Sequence, residues 1–423
     1  MLTKEQNERL TRVDPGTPMG ELMRRYWHPI AAVAQQADRA TMPVRVLCED
    51  LVLYKDRSGT YGLIEPTCPH RRMGLLYGVP ETNGLRCAYH GWLFDETGRC
   101  LEQPYEQAED PESQYRDKVR AKTYPVREYA GMIWAYLGPA PAPLLPAFDL
   151  FVMESMLRDI GYAQVPCNWL QCEENSLDPV HVQWLHQHFS NYVMEQLGRS
   201  DLIRPYQKLT RIGFDVFDYG VIKRRMVEGG DEEDPEWVTG QYALFPYWLR
   251  QGSGGGPGRG GGFQIRVPRD NETTNHWWYR AYPMRADDKP QAATDIPFFK
   301  VPVPDVSEEG YVPWDQVDNN SGQDLNAWYT QGAIADRSRE NLGRSDRGII
   351  LWRRLLEENM RRVEQGLDPM NVFRDPEKNR FIEFECMQNP RFMQGGAVRQ
   401  RGGAATKYSP VLIAREGEVN YRK

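Results

Sequence analysis

"CPHRRMGLLYGVPETNGLRCAYHGW", residues Cys68–Trp92, contains two cysteines and two histidines in the order C-x-H and C-x-x-H. Thiolates and neutral imidazoles are good ligands for zinc and iron. The four side chains could hold one structural zinc ion, or a [2Fe–2S] cluster with the cysteines on one iron and the histidines on the other. Each short loop supplies one cysteine and one histidine, which favours the two-iron arrangement over a zinc finger.

The sequence on both sides of this stretch predicts antiparallel β-structure. Residues 43–65, 92–104 and 124–139 alternate apolar and polar side chains around turn signals such as Gly59 and Gly98. The proline-rich segment "APAPLLPAF", residues 140–148, follows and is typical of a linker. The cysteine and histidine loops therefore belong to a compact β-rich unit that ends near residue 140.

Composition limits the functional classes. The 423 residues carry a formal net charge of −7, so no basic surface for nucleic acid is expected. The chain has no apolar run of about 18 residues, and its N-terminus lacks the apolar core of a signal peptide, so no membrane association is expected. Seven cysteines, an odd number, argue against a disulfide framework and for a reducing cytoplasm. Those outside the quoted stretch, Cys386 among them, are interpreted as packing residues.

A second group of polar residues lies in "EENSLDPVHVQWLHQH", residues 173–188, within a region, residues 169–189, that we expect to be helical. Asp178, His181 and His186 stand close together there, and clustered imidazoles suggest a metal. Residues five apart lie about 140° apart around an ideal helix. His181 and His186 can therefore share a metal only if the helix is broken or distorted between them. Asp178 before Pro179 would also suit the start of a helix.

The rest of the chain mixes strands and helices. Residues 203–284 contain several strand candidates, and the glycine-rich residues 252–262 between two of them predict a flexible connection. Residues 322–366 are expected to be mostly helical, and residues 374–423 to form short strands and loops. Two downstream carboxylates are candidates for a third metal ligand, Asp324 in "SGQDLNAW" and Asp346 in "GRSD". Each also has a helix-capping explanation.

The two motifs together resemble the Rieske non-haem iron aromatic oxygenases. C-x-H-(x16)-C-x-x-H-G-W is similar to the Rieske motif, and E-N-x-x-D-x-x-H-(x4)-H, beginning at Glu174 and Asn175, is similar to the family's iron signature. The family usually has Arg-Gly after the first histidine, whereas this chain has Arg71 and Arg72. The Q-D-x-x-A-W pattern further resembles the phthalate-type branch, where the iron-binding aspartate corresponds to Asp324.

The resemblance implies an α+β fold in three parts. Residues 1–23 would be an N-terminal helical segment, residues 24–143 an antiparallel β Rieske domain, and residues 144–423 a helix-grip catalytic domain, an antiparallel sheet with flanking helices. Its implied cofactors are a [2Fe–2S] cluster and a mononuclear Fe(II). The implied residues are these: Cys68, His70, Cys87 and His90 for the cluster, and His181, His186 and Asp324 for the iron.

The resemblance also implies how electrons travel. A reductase with flavin and a plant-type ferredoxin domain, or a separate ferredoxin, would reduce the cluster. Each electron would pass from His90 through Asp178 to His181 of a neighbouring subunit in a homotrimer or hexamer. The enzyme would then use O2 to O-demethylate or hydroxylate an aromatic compound of the lignin or phthalate type. Alternatives are a cis-dihydroxylating dioxygenase and an electron carrier with an accessory domain.

A carboxylated substrate would require a nearby cation. Lys223, Arg250 and Arg266 are candidates, although surface positions are expected for all three. The tryptophans 248, 277, 278 and 328 could line a pocket for an aromatic ring, and packing in the core is the ordinary expectation for most of them.

Overall fold

A computed structural model describes residues 1–37, 39–252, 261–385 and 407–417. Some of the sequence predictions concern residues outside the described ranges. These residues are 253–260 of the glycine-rich segment and, within the predicted strands and loops of 374–423, residues 386–406, which include Cys386, and 418–423.

The described residues before position 137 form three small antiparallel sheets. Alternation of side chains determines the inner face of each strand; in the second strand Met42, Val44 and Val46 are buried. The strands are β1 (Trp27–Ala32), β2 (Thr41–Val46), β3 (Glu49–Lys55), β4 (Tyr61–Ile64), β5 (Val79–Glu81), β6 (Gly84–Arg86), β7 (Leu93–Phe94), β8 (Cys100–Glu102), β9 (Thr123–Tyr124), β10 (Val126–Tyr129) and β11 (Met132–Tyr136). Their orders are β1-β11-β10, β2-β3-β4-β9 and β5-β6-β7-β8. The first cysteine loop leaves β4, and the second joins β6 to β7.

The later strands form one sheet of eight among the described residues. They are β12 (Met156–Val165), β13 (Leu209–Phe217), β14 (Gly220–Val227), β15 (Gln241–Leu244), β16 (Trp248–Gly252), β17 (Gly261–Pro268), β18 (Thr274–Pro283) and β19 (Phe298–Lys300). The order is β13-β14-β15-β16-β17-β18-β12-β19. Neighbours are antiparallel except β12 and β19, which run parallel. The expected antiparallel sheet thus has one parallel edge strand.

Helices precede, separate and follow the strands along the described part of the chain. They are α1 (Lys4–Thr11), α2 (Pro18–Met23), α3 (Val33–Gln36), α4 (Pro104–Glu109), α5 (Asp149–Val152), α6 (Trp169–Ser176), α7 (His181–Gln183), α8 (Ser190–Gln196), α9 (Pro235–Thr239), α10 (Asn320–Tyr329), α11 (Arg347–Glu364) and α12 (Pro410–Glu416). A π-helix, Trp184–Phe189, joins α7 to α8. None of the helices in the described part of the chain has both the length and the apolarity to cross a bilayer.

The two faces of the large sheet have different partners. One face packs against the first part of the chain, where Trp248 stacks on Trp134 of β11 with ring centroids 5.8 Å apart. The opposite face meets α6, because Arg266 of β17 donates hydrogen bonds to Ser176 Oγ at 2.5 Å and Glu173 Oε2 at 3.2 Å. This second face therefore lies beside the helices that carry the iron motif.

One local expectation differs from the structure. Residues 410–416 form α12 instead of strand or loop, and its start is capped by the Ser409 hydroxyl, which accepts from the Leu412 amide. Residues 322–366 are mostly helical, as expected, with residues 330–343 between α10 and the short turn that precedes α11. The second N-terminal helix ends at Met23, and β1 begins at Trp27, which pairs with Tyr136.

Candidate active site

The first cysteine and histidine group forms two pairs. Cys68 and Cys87 are buried, 1% and 3% exposed, in a small apolar cluster. His70 and His90 lie further out, with their ring centroids 4.5 Å apart. His70 also stacks on Trp92 at 4.2 Å with an interplanar angle of 6°, which holds its ring in place. The thiols thus form an inner pair and the imidazoles an outer pair.

The two cysteine loops have the same hydrogen bonds. The Cys68 amide donates to the Met73 carbonyl at 2.8 Å, and the Cys87 amide donates to the Trp92 carbonyl at 2.9 Å. In tight turns of this kind the backbone N–H and C=O groups form hydrogen bonds within the loop, and the side chains project from one side of it. Two similar loops therefore present one cysteine and one histidine each.

This arrangement suits two irons better than one zinc. Four ligands of a tetrahedral zinc would lie within about 4 Å of one another. Among the described residues, three metal-binding side-chain atoms come within 4.8 Å of one another at a single place, and that place does not include these four residues. Separate thiol and imidazole pairs match a [2Fe–2S] cluster with cysteines on one iron and histidines on the other.

The chemistry of the inner pair also requires a cation. Burial raises the pKa of Cys68 to about 12, and the neighbouring Cys87 thiol acts in the same direction. A thiolate at neutral pH therefore depends on bound positive charge, as an iron cluster provides. At the outer pair, burial and the neighbouring His90 and Arg71 lower the pKa of His70. Neutral imidazole is the form that binds metal.

The helix that carries His181 and His186 is distorted between these two residues, as binding of one metal by both would require. The chain after α7 continues as a π-helix, whose hydrogen bonds join residues five apart. His181 and His186 are five apart, so the wider turn puts them on one side. Their ring centroids lie 5.1 Å apart. Short π-helical segments of this kind occur frequently at functional sites.

Asp324 completes a group of three. Its Oδ1 lies 3.2 Å from His186 Nε2 and 3.9 Å from His181 Nε2, and one ligand atom from each of the three side chains lies within 4.8 Å of the others. Asp324 is one of the buried residues of α10, which begins where Asn319 caps the Gly322 amide. Two imidazoles and one carboxylate on one side of a metal are the set expected for a non-haem Fe(II) oxygenase.

Hydrogen bonds orient both imidazoles toward the same point. His186 Nδ1 lies 2.9 Å from Gln323 Oε1, and the Gln323 amide nitrogen donates to the Val317 carbonyl at 2.9 Å. The second bond makes Oε1 the acceptor, so His186 carries its proton on Nδ1. His181 Nδ1 likewise donates to the Asp178 carbonyl at 2.5 Å. Both Nε2 atoms therefore keep their lone pairs for a metal.

The electrostatics of the group favour a cation. Burial lowers the pKa of His181 to about 3, and the nearby His186 lowers it further, so His181 is neutral. Burial alone would lower the pKa of His186, but the Asp324 carboxylate and the Gln323 hydrogen bond together raise it. Burial alone would raise the pKa of Asp324, but His186 and the other nearby positive groups together lower it. Positive charge between these residues is thus stabilised.

The Asp178 carboxylate caps the short helix α7. Its Oδ1 accepts from the amides of Val180 at 2.8 Å and His181 at 3.3 Å. Its Oδ2 lies 3.8 Å from His181 Nδ1, and 29% of the side chain is exposed. Asp178 therefore holds the helix start with Oδ1, while Oδ2 lies beside the His181 ring and the side chain stays partly exposed.

The remaining residues of the iron motif have other partners. Both Glu174 oxygens accept hydrogen bonds from the buried guanidiniums of Arg337 and Arg353, which ties α6 to α11. Asn175 Nδ2 lies 3.4 Å from Asp324 Oδ1. Asp346 accepts from the Gly343 amide at 2.6 Å, at the short turn that precedes α11. Its carboxylate is thus engaged at a helix start, and Asp324 is the carboxylate that lies beside the histidines.

The expectation that the three candidate cations lie at the surface is wrong. Lys223, Arg250 and Arg266 are 3%, 4% and 0% exposed. Sequence reasoning also did not identify Gln323, although its place directly before Asp324 in the Q-D-x-x-A-W pattern was a usable signal. The four tryptophans named above are all buried, as expected for core packing.

Family models match both parts of the chain. A model of the Rieske [2Fe–2S] domain matches residues 26–125, and a model described as "LigXa C-terminal domain like" matches residues 313–385.

Similar proteins are oxygenase subunits. Over 96% of its length, the chain is 42% identical to the 5,5'-dehydrodivanillate O-demethylase oxygenase subunit of Sphingobium sp. (strain NBRC 103272 / SYK-6), of which it covers 92%. It is 34% identical to the phenoxybenzoate dioxygenase subunit alpha of Ectopseudomonas oleovorans, with 86% of this chain and 87% of that one covered. The solved structure of Pseudomonas putida CBB5 NdmA shares the fold, with a TM-score of 0.59, 19% identity, and 84% and 95% of the two chains covered.

Proposed function

This chain belongs to the Rieske non-haem iron oxygenases as an oxygenase subunit, and we propose that it O-demethylates a methoxylated aromatic acid of the dehydrodivanillate type. Its cofactors are a Rieske [2Fe–2S] cluster and a mononuclear iron. It is an oxidoreductase, and a reductase or ferredoxin provides its electrons. The observation that carries the choice of reaction is the 42% identity, over 96% of the chain, to a relative named as an O-demethylase subunit.

We propose that Cys68, Cys87, His70 and His90 hold the cluster, within a domain of residues 24–143. The support is the two-pair arrangement, in which the imidazoles lie outside the thiols. An exposed imidazole edge is where a redox partner could approach. Tyr89, 54% exposed beside His90, is on this side of the molecule.

We propose that His181, His186 and Asp324 hold the mononuclear iron, within a catalytic domain of residues 144–423. When bound, the cluster supplies single electrons, and the ferrous ion activates dioxygen at positions that the three protein ligands leave open. Gln323 and the Asp178 carbonyl keep the imidazole Nε2 atoms aimed at the metal. The buried position of Asp324 keeps its carboxylate from competing water.

We propose that Asp178 links two subunits. Its Oδ2 is available beside His181 and could accept a hydrogen bond from His90 of the partner subunit. Such a head-to-tail contact closes in a ring, so we expect a homotrimer or a hexamer of two rings. A cytoplasmic location stays a prediction.

Product analysis tests the reaction. O-demethylation consumes dioxygen, two electrons and two protons for each methoxyl group, and releases a phenol, formaldehyde and water. We expect the holoprotein with a flavin reductase and ferredoxin to release one formaldehyde per dioxygen consumed with 5,5'-dehydrodivanillate. A ring diol without formaldehyde would instead indicate a cis-dihydroxylating dioxygenase. Electron transfer without substrate-dependent oxygen uptake would indicate a carrier.

A further inference from the structure

Lys223 is a buried amine without a hydrogen-bonding partner in the described residues. It lies in the middle of β14, is 3% exposed, and among the described residues forms no side-chain hydrogen bond and no ion pair within 4 Å. Because removing an ammonium group from water without a partner is costly, burial lowers the pKa of Lys223 to about 7. A ligand carboxylate beside Nζ would stabilise the charged form of this side chain.

The sheet places Lys223 on the side of the iron motif. Val221, two residues before it on the same face, pairs with Ala243, and the row continues through Leu249 to Gln264. Gln264 accepts from Arg266, which in turn binds α6. Lys223 thus belongs to the face of the sheet that meets α6 and the segment leading to His181.

Packing shows the same proximity. Phe214 of β13 is the cross-strand partner of Lys223, and its ring lies beside Gly348 of α11, as does the Leu177 carbonyl. Leu177 directly precedes Asp178, so Lys223 lies on the part of the sheet that faces the start of the iron motif.

The neighbouring arginines already have carboxylate partners. Arg225 on the same strand is paired with the buried Glu236. Arg266 is paired with Glu173 at 3.2 Å. Arg250, on the opposite face of the sheet, is paired with Asp149 at 2.8 Å. Among the buried cations considered as substrate contacts, Lys223 alone has no such partner in the described residues.

From this placement we infer that Lys223 binds a carboxylate group of the aromatic substrate and makes the enzyme selective for aromatic acids. The inference rests on the proposed function, because it presumes an acid substrate. The names of the two relatives above, dehydrodivanillate O-demethylase and phenoxybenzoate dioxygenase, both denote carboxylates. A substrate carboxylate would supply the anionic partner that Lys223 lacks. The aromatic ring would then lie between the sheet and the three proposed iron ligands.

Direct binding tests the inference. The probes are 5,5'-dehydrodivanillate and its dimethyl ester, titrated anaerobically into the holoprotein and followed by tryptophan fluorescence. We expect Lys223→Met to weaken binding of the diacid by at least about tenfold and to change binding of the diester by less than about twofold. Lys223→Arg should retain part of the preference. Lys208→Met, which removes an exposed lysine near the same sheet edge, is the control and should change neither.

The outcomes separate the inference from the proposed function. If the wild-type protein binds neither compound, the proposed substrate class is wrong and the inference fails with it. If the wild type binds the diacid and Lys223→Met binds it equally well, the inference alone is wrong. A variant that loses both compounds in equal measure also overturns it. Retained diester binding and an unchanged cluster absorption spectrum show that the variant is folded.

Discussion

Arg72 and Gly91 occupy equivalent places in the two cysteine loops. Each donates its backbone N–H to the carbonyl of the cysteine four residues earlier, at 2.9 Å to Cys68 and 3.0 Å to Cys87. Each has a left-handed backbone, with φ of 62° and 76°. The arginine therefore adopts the conformation for which the family uses glycine, and the two loops match despite the sequence difference.

Arg72→Gly should stabilise the first loop. An L-residue in the left-handed region costs about 1–2 kcal/mol, which glycine avoids. The lost ion pair with Glu65 is exposed and contributes at most about 1 kcal/mol. We expect a net gain of about 0.5–1 kcal/mol, seen as a higher midpoint for thermal bleaching of the cluster.

Arg71→Gly is the matched control for that change. Arg71 is not among the described residues with positive φ, and its guanidinium lies 5.4 Å from the Tyr89 ring centroid. At this position glycine relieves no backbone strain and increases the conformational entropy of the unfolded chain. The midpoint temperature for thermal bleaching of the cluster should therefore fall. A shift of the bleaching midpoint in the same direction for both variants would contradict the argument that Arg72 is strained.

Asp324→Ala should remove the mononuclear iron while the cluster spectrum stays unchanged. The carboxylate at 3.2 Å from His186 Nε2 is the third ligand that we propose for the iron. Asp346→Ala should cost about 1 kcal/mol of stability, because the hydrogen bond from the Gly343 amide at the turn before α11 is lost, and should keep the iron. Metal analysis of both variants decides between them. Loss of iron from Asp346→Ala alone would reverse our assignment.

Gln323→Leu should weaken iron binding by about 10–100-fold, because the residue that orients His186 is lost. The measurement is the rate and extent of iron removal by a chelator, with cluster absorption as the internal reference. Gln331→Leu changes an exposed glutamine just beyond the end of the same helix and should have no effect. Iron retention equal to that of the wild type in Gln323→Leu would mean that packing alone holds the imidazole.

Asp178→Asn should slow oxidation of the cluster by the mononuclear iron by at least about tenfold while both metals stay bound. Asparagine is a good N-cap, so it preserves the bonds to Val180 and His181 but removes the charge. Stopped-flow measurement of cluster reoxidation with substrate and dioxygen provides the rate. A rate like that of the wild type would exclude Asp178 from the path between subunits.

Asp159→Asn should stabilise the protein at neutral pH. Burial raises the pKa of Asp159 from 3.8 to about 6, although Ser409 and Tyr282 donate to its carboxylate and Arg280 lies near. The folded state therefore holds a proton that the unfolded chain has released, and stability falls as the pH rises through this window. The gain should reach up to about 3 kcal/mol at pH 7.5 and disappear below about pH 4.

Chemical unfolding at both pH values measures this difference. Asp288→Asn is the control, because hydrogen bonds from the Arg285 amide and from Arg415 lower the pKa of this partly buried carboxyl. Asp288→Asn should destabilise the protein at neutral pH, which is opposite to the effect expected for Asp159→Asn. Stabilisation of Asp159→Asn that is equal at both pH values would show that packing, not the proton, is responsible.

Most of the features that the sequence predicted depend on the spacing of residues that lie close together in the chain. The two cysteine loops, the strands around them and the need for a distorted helix between His181 and His186 all depend on residues close in the chain. Backbone geometry and side-chain period relate such residues directly. The same local reasoning failed for Lys223, Arg250 and Arg266, because a charged residue in a strand does not reveal whether another layer covers it.

The sequence by itself determined the family and the order of the candidate cysteine and histidine ligands, since each of these motifs is complete within about 25 residues. Only the tertiary structure decided that Asp324 lies beside the histidines, that Gln323 orients one of them, and that Lys223 is buried without a partner. These relationships join segments roughly 40 to 150 residues apart in the chain. Their distances depend on how a sheet and its helices pack, which no local pattern of side chains records.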